Sequence, residues 1–273
     1  MTAGVAAVRR AAALGGAFVG LGLVVGLVVI LVAVGAFPER RWAPFGDAAV
    51  WRFLGEGLLA TVQMGIVALI ASLVLSVPLA LARINATGPL RAVVIGWIEL
   101  VRATPVLALI LTITLFMPRT GLDVPPIWAA TLALTIYTSA VLGEIVRAGI
   151  QSIPRGEVDA ARSLGMSYVI TMRLVVLPQA ISRMMPAIVS QLITLVKDTA
   201  LASIAAVPEL VSYARSTFVF YGNPAETLFV VACLFFLICY SLSRVSRRLE
   251  ARRPSDLMPA VRGEEDLQPV ATP

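Results

Sequence analysis

The sequence has no histidine, a single lysine (Lys197) and two cysteines in 273 residues. Without histidine, a histidine-based triad, haem or zinc-protease site is excluded. The lone lysine is followed by Asp198 and lacks a glycine-rich lead, so it cannot complete a Gly-x-x-x-x-Gly-Lys-Ser/Thr phosphate loop. ATP binding by that route is excluded as well. Cys233 and Cys239 lie six apart in one apolar run. They do not share a helical face as i, i+3 or i, i+4 residues would, and they suggest neither a disulfide nor a metal. No nucleophile–base constellation points to an enzyme, and no cofactor or metal is called for. Charge is also scarce, at 14% against about 25% in a soluble domain.

What is abundant is apolar sequence. The hydrophobic fraction is 59%, above the roughly 45–50% of soluble chains. Uncharged runs cover 11–38, 57–82 and 124–143, with a shorter one at 227–243. Crossing ~30 Å of hydrocarbon takes ~20 helical residues. Residues 92–118, interrupted by Glu99 and Arg102, and 184–208, interrupted by Lys197 and Asp198, read as two further spans. The alternation of a membrane barrel is absent, so helices are expected. The reading is an all-α integral membrane protein with about six spans, near 13–36, 57–82, 93–117, 126–147, 184–207 and 226–243. The first apolar stretch, ~25 residues, exceeds the 7–15 of a signal peptide, so a retained helix is expected there.

The net charge of +6 invites a nucleic-acid reading, but its distribution is that of a membrane topology. Six spans put both termini on one side, and fifteen arginines fall on that side against five on the other. The positive-inside rule then puts both termini in the cytoplasm. Residues 148–183 form the longest polar interruption, expected as one or two short helices. Ser152 is a candidate cap, Pro154 suits a first turn, and Glu157 and Asp159 suit a helix amino end. Gly165 is placed to end that helix. Val158, Ala161 and Leu164 form a narrow apolar stripe in need of a partner. The arginine-rich early part of 246–273 is expected to be disordered or to lie on anionic membrane lipid.

From Asp159 the sequence reads Asp159-Ala160-Ala161, three residues, Gly165, nine residues, Val175, one residue, Leu177-Pro178. This resembles the Glu-Ala-Ala loop of bacterial ABC importer permeases, with Asp for Glu and Val for Ile. The stretch from Glu144 to Gly156, and Leu177-Pro178-Gln179-Ala180, resemble the polar amino-acid branch of that family (histidine, glutamine, glutamate). Arg102-Ala103-Thr104-Pro105 is similar to its Arg-Gly-Thr-Pro. The resemblance covers roughly 55–245 and implies a type I ABC importer permease fold. Domain expectations follow: 1–54 as tail, extra helix and external loop, 55–245 as permease core, and 246–273 as tail.

The resemblance further implies partners: a second permease subunit, a cytoplasmic ABC ATPase dimer and an extracytoplasmic amino-acid-binding protein. ATP hydrolysis would belong to the separate subunit, and the imported solute would be a polar amino acid, glutamate or glutamine leading. It assigns ATPase coupling to Gly156, Asp159, Ala160, Ala161, Leu164 and Gly165. Candidates along the substrate path are Gln191, Thr194, Lys197 and Asp198, with Arg102. Lys197 and Asp198 point about 100° apart on a helix and cannot simply pair with each other, so path contact and ion-paired packing both stay open. Glu99 with Arg102, and Glu144 with Arg147, are i, i+3 pairs whose simplest reading is structural. Thr61 and Gln63 are weaker candidates. Pro78, Pro105 and Pro186 can each kink a span. A transporter or channel working without ATP is the alternative.

Overall fold

The computed structural model describes Gly35 and residues 38–251, with side chains through Val245, and the described residues contain no strand. After a one-turn helix at Glu39–Trp42, Asp47 opens α1 (Ala48–Asn85) by accepting the Ala49 N–H at 2.8 Å. α1 overruns the expected 57–82 at both ends. Pro78 sits inside it without breaking it, because neighbouring contacts in a bundle tolerate one lost hydrogen bond.

The expected single span at 93–117 is instead two helices, α2 (Gly88–Ala103) and α3 (Val106–Phe116), meeting at 98°. The cause is local. Pro105 disfavours the helical region for the residue before it, and Thr104 is extended at ψ 130°. The Thr104 N–H and hydroxyl both turn back to the Leu100 carbonyl, at 3.1 and 2.8 Å, and close α2.

α4 (Pro126–Gln151) is the central helix, with 67% of its most apolar window buried, whereas α8 (Pro224–Ala251) has 11%. Its buried face is small and hydroxylated: Ala129, Ala130, Ala133, Thr135, Ser139, Ala140 and Gly143. Lipid gives helices no hydrophobic drive to associate, so close backbone approach through small residues does the work. A Cβ on Gly143 would stand 3.4 Å from Leu79, and one on Gly149 would stand 3.2 Å from Met184. Ser72 of α1 donates to the Thr135 carbonyl of α4 at 3.2 Å.

Between α4 and the next long element lies α5 (Arg155–Ser163). The expected break before residue 184 does not occur. A rod, α6, runs from Tyr168 to Ala205, 38 residues in all. It begins with one α-turn, passes through a π-turn at Met172–Val176, continues as α-helix over Leu177–Thr199 and ends as a 3₁₀ stretch at Ala200–Ala205. Pro186 lies inside it without a break. α7 (Leu210–Tyr221) and α8 follow.

By length and composition α1, α4, α6 and α8 can each cross a membrane, and the bent α2–α3 pair makes five if counted as one span. The sixth expected span, 13–36, lies outside the described residues, as does 252–273 of the expected tail; α8 itself reaches Ala251. The largest core cluster joins α1, α3, α4 and α6 through Met64, Ile110, Leu134 and Leu195, with Val207 just beyond the rod. A second packs Val50 and Leu54 of α1 against Leu210, Ala214 and Val231. One end of the bundle, here the basic end, carries Arg83, Arg91, Arg147, Arg155 and α5.

Candidate functional site

α5 is short, set at the basic end, and held to the bundle on one side only. Pro154 precedes it without a side-chain cap. Ser152, expected to open α5, instead closes α4: its N–H reaches the Ala148 carbonyl at 2.9 Å and its hydroxyl the Gly149 carbonyl at 2.7 Å. The end of α5 is a Schellman motif. Met166 N–H bonds the Ala161 carbonyl at 3.2 Å, Gly165 N–H bonds the Arg162 carbonyl at 2.9 Å, and Gly165 has φ +79°. A side chain there would be strained by its backbone alone, since nothing else lies within 4 Å.

The apolar stripe divides between two directions. Ala161 is buried and Val158 packs on the cluster of Ile153, Val176 and Ala180. Leu164 is 83% exposed. Gly156, Asp159 and Ala160 are exposed beside it. Two polar ties fix α5 and its lead to α6: Gln179 Nε2 donates to Glu157 Oε2 at 3.3 Å, and Arg183 Nη1 donates to the Ser152 carbonyl. The result is a braced helix that presents Leu164, Ala160, Asp159 and Gly156 outward.

The two expected i, i+3 ion pairs are present, Glu99–Arg102 at 4.0 Å and Glu144–Arg147 at 3.0 Å. Arg83, which the sequence offered only as a topology marker, joins them. It reaches Glu99 at 3.2 Å and Glu144 at 2.9 Å. Arg147 continues the chain to Gln151 Oε1 at 2.5 Å. Arg102 therefore stands at one end of a charge ladder that ties α1, α2 and α4 together.

Gln191 and Asp198 are half-buried, and Thr194 is exposed with its hydroxyl on the Ser190 carbonyl at 3.2 Å. Lys197 is exposed. Neither Lys197 nor Asp198 forms an ion pair with a described residue. Both lie in the third of α6 farthest from the basic end.

Two carboxylates escaped the sequence reading. Glu209, in the connection between α6 and α7, is fully buried and caps α7, accepting from Val211 N–H at 2.9 Å and Ser212 N–H at 2.8 Å. Burial pushes its carboxyl up to about 7, against the opposing pull of those two N–H groups, the Ser212 hydroxyl and Thr61. Thr61 has a structural post: its hydroxyl donates to the Gly57 carbonyl at 3.1 Å and accepts the Leu210 N–H at 3.0 Å. Glu226, in the first turn of α8, is buried with both oxygens unpartnered among the described residues. Neither carried a signal in the sequence, since glutamate is not among the residues that favour an N-cap. Among the described residues no three Cys, Asp or Glu side chains converge as a metal set.

Residues 72–254 match the family described as binding-protein-dependent transport system inner membrane component. The chain is 38% identical over 226 residues to the probable glutamine ABC transporter permease protein GlnP of Bacillus subtilis (strain 168), covering 81% of this chain and 98% of that one. It is 34% identical to the glutamate transport system permease protein GluD of Corynebacterium glutamicum, covering 80% and 83%. Among solved structures, an amino acid ABC transporter described as crystallised with histidines is similar at a TM-score of 0.69 and 30% identity, over 74% of this chain and 94% of that one. The family match takes in α2 to α8 whole, including the braced helix and the long rod. This multi-pass chain belongs to the family of binding-protein-dependent transport-system inner-membrane components, as a non-catalytic ABC permease subunit.

Proposed function

We propose that this permease imports a polar amino acid, glutamine or glutamate, as one of a pair of permease subunits. An extracytoplasmic amino-acid-binding protein delivers the solute at the end opposite α5, and a cytoplasmic ABC ATPase dimer drives the cycle. The substrate class is supported by the relatives that carry glutamine and glutamate in their names. The basic end, and with it both termini, faces the cytoplasm by the arginine excess.

The observation that carries the coupling role is the 83% exposure of Leu164 at the tip of a braced helix. On a polar segment at the basic end, a large exposed apolar side chain suits the buried centre of a contact with a partner. Gly156, Asp159 and Ala160 line the same outward side, Ala161 seats the helix, and Gly165 sets where it stops. Gln191, Thr194, Lys197 and Asp198 flank the solute path, and Arg102 serves the ladder. The proposed organisation keeps 55–245 as the permease core, flanked by 1–54 and 246–273.

Leu164→Asp in the permease co-purified with its ATPase tests this. Loss of a central apolar contact should weaken association roughly 10- to 30-fold and uncouple uptake in proteoliposomes. Unchanged ATPase association with intact ATP-dependent uptake would overturn the docking role.

A further inference from the structure

A groove of about 670 Å³ runs along the outside of the bundle between α1 and α6, floored by Val146 and Ile150 of α4. Its α1 wall goes from Leu73 through Val77 and Leu81 to Asn85, ~18 Å at helical rise. That is close to one leaflet of a ~30 Å hydrocarbon core. Its α6 wall includes Leu177, Ile181, Met184 and Ile188. The one hydroxyl in its deep half, on Ser76, is spent on the Leu73 carbonyl at 2.8 Å. The polar groups are gathered at the basic end, where Asn85, Tyr168 and Arg173 line the mouth and all three are exposed. Arg173 forms no ion pair with a described residue.

We propose that this groove holds an acyl chain of an anionic phospholipid, with its headgroup phosphate on Arg173 and the Tyr168 hydroxyl beside it. Depth, direction and polarity agree with that occupant. The groove is apolar toward the membrane middle and turns polar and cationic where a headgroup layer begins. A phosphate offers a guanidinium charge and two acceptor oxygens in matching geometry. The exposed flanks, Val77, Val169 and Ile181, are surfaces a lipid chain wets without penalty.

A second permease subunit is the rival occupant, and helix geometry argues against it. At 100° per residue, the groove-lining residues 177, 181, 184 and 188 centre roughly a quarter turn from Gln191, Thr194 and Asp198. The polar stripe is the side of α6 suited to a path shared with another subunit, so the groove looks sideways, toward lipid. Which leaflet supplies the lipid rests on the orientation proposed above; the presence of the lipid does not.

The test uses permease with its ATPase in nanodiscs of mixed phosphatidylglycerol and phosphatidylcholine, released into detergent for native mass spectrometry. The wild type should retain phosphatidylglycerol in preference to phosphatidylcholine. Arg173→Gln should lower that preference about fivefold, the effect of one cation at an anionic surface. Ile181→Trp and, from the opposite wall, Val77→Trp should fill the groove and empty it of both lipids. Retention equal to wild type in either folded tryptophan variant, or an undiminished preference in Arg173→Gln, overturns the proposal. So does a cross-link between two copies through Ile181→Cys in a Cys233→Ser, Cys239→Ser background. ATPase association measured on the same samples reports folding. Its absence from the wild type would count against the transport reading and leave the lipid result standing.

Discussion

Arg83 Nη1 in α1 stands 2.9 Å from Glu144 Oε1 in α4, and the same guanidinium reaches Glu99 in α2 at 3.2 Å. Arg83 and Glu144 side chains are 18% and 16% exposed, whereas Arg102 is 42% exposed. Solvent screens an exposed pair down to ~0–1 kcal/mol, and losing one partner of a buried pair costs ~3–5 kcal/mol. Arg83→Met should therefore destabilise by roughly 1–3 kcal/mol, leaving Glu99 and Glu144 facing each other. Arg102→Met should cost well under 1 kcal/mol. Thermal unfolding of the two variants in the same detergent compares them, and equal losses would mean that the ladder is not organised around Arg83.

Gly57 packs so closely on α7 that a Cβ would lie 2.8 Å from Tyr213 Cγ and 3.0 Å from Leu210 Cα. Gly57→Ala should cost ~1–3 kcal/mol by overpacking. Gly55, two residues earlier in the same helix, has nothing within 4 Å, so Gly55→Ala should be neutral or stabilise by up to ~1 kcal/mol. A melting comparison in which both behave alike would refute close packing at this site.

At Gly165 the demand is on backbone conformation, not space. Gly165→Ala should place ~1–2 kcal/mol of strain on the left-handed turn, a factor of roughly 5–30 in the population of the correct end of α5. Asparagine tolerates that conformation, so Gly165→Asn should recover part of the ATPase association lost by the alanine variant. Pull-down titrations of the two variants read this directly; equal affinity would remove the turn from the coupling argument.

Glu209 carries a pH dependence of definite sign. Its carboxyl, outside the membrane-spanning segments, is raised from 4.5 to about 7 by burial. A raised carboxyl pKa means the folded state holds a proton the unfolded state would release. The associated stability is complete below pH ~4.5 and is lost as pH rises through about 7. The expected loss is on the order of 3 kcal/mol by pH 8. Glu209→Gln keeps an acceptor for the α7 cap and should flatten this slope. Melts of wild type and variant from pH 5 to 8 would show it, and parallel profiles would exclude Glu209 as the source.

The helices built on long uncharged runs, α1 and α4, were legible in the sequence, as was the polar segment between α4 and α6. Their ends were not, since Asp47 capping and the continuation of α6 back to Tyr168 depend on local hydrogen bonds, not hydropathy. Pro105 was read as a kink within one span; that the chain turns by 98° there depends on Thr104 adopting an extended backbone and closing α2 on Leu100, which the proline alone does not dictate. The spacing of Asp159, Ala160, Ala161 and Gly165 singled out the segment around α5, yet not that Ala161 turns inward and Leu164 outward. Arg83 could not be joined to Glu99 and Glu144 in advance, because the contacts are 16 and 61 positions apart in the chain.

The contact of Met184 with Gly149, where even a Cβ would come within 3.2 Å, falls near the middle of α6. The rod is seated a second time nearer its far end, where Leu195 lies fully buried in the cluster that contains Leu134 of α4. The end tied to α5 and the end carrying Lys197 thus share one anchor, the central helix, on which both are mounted.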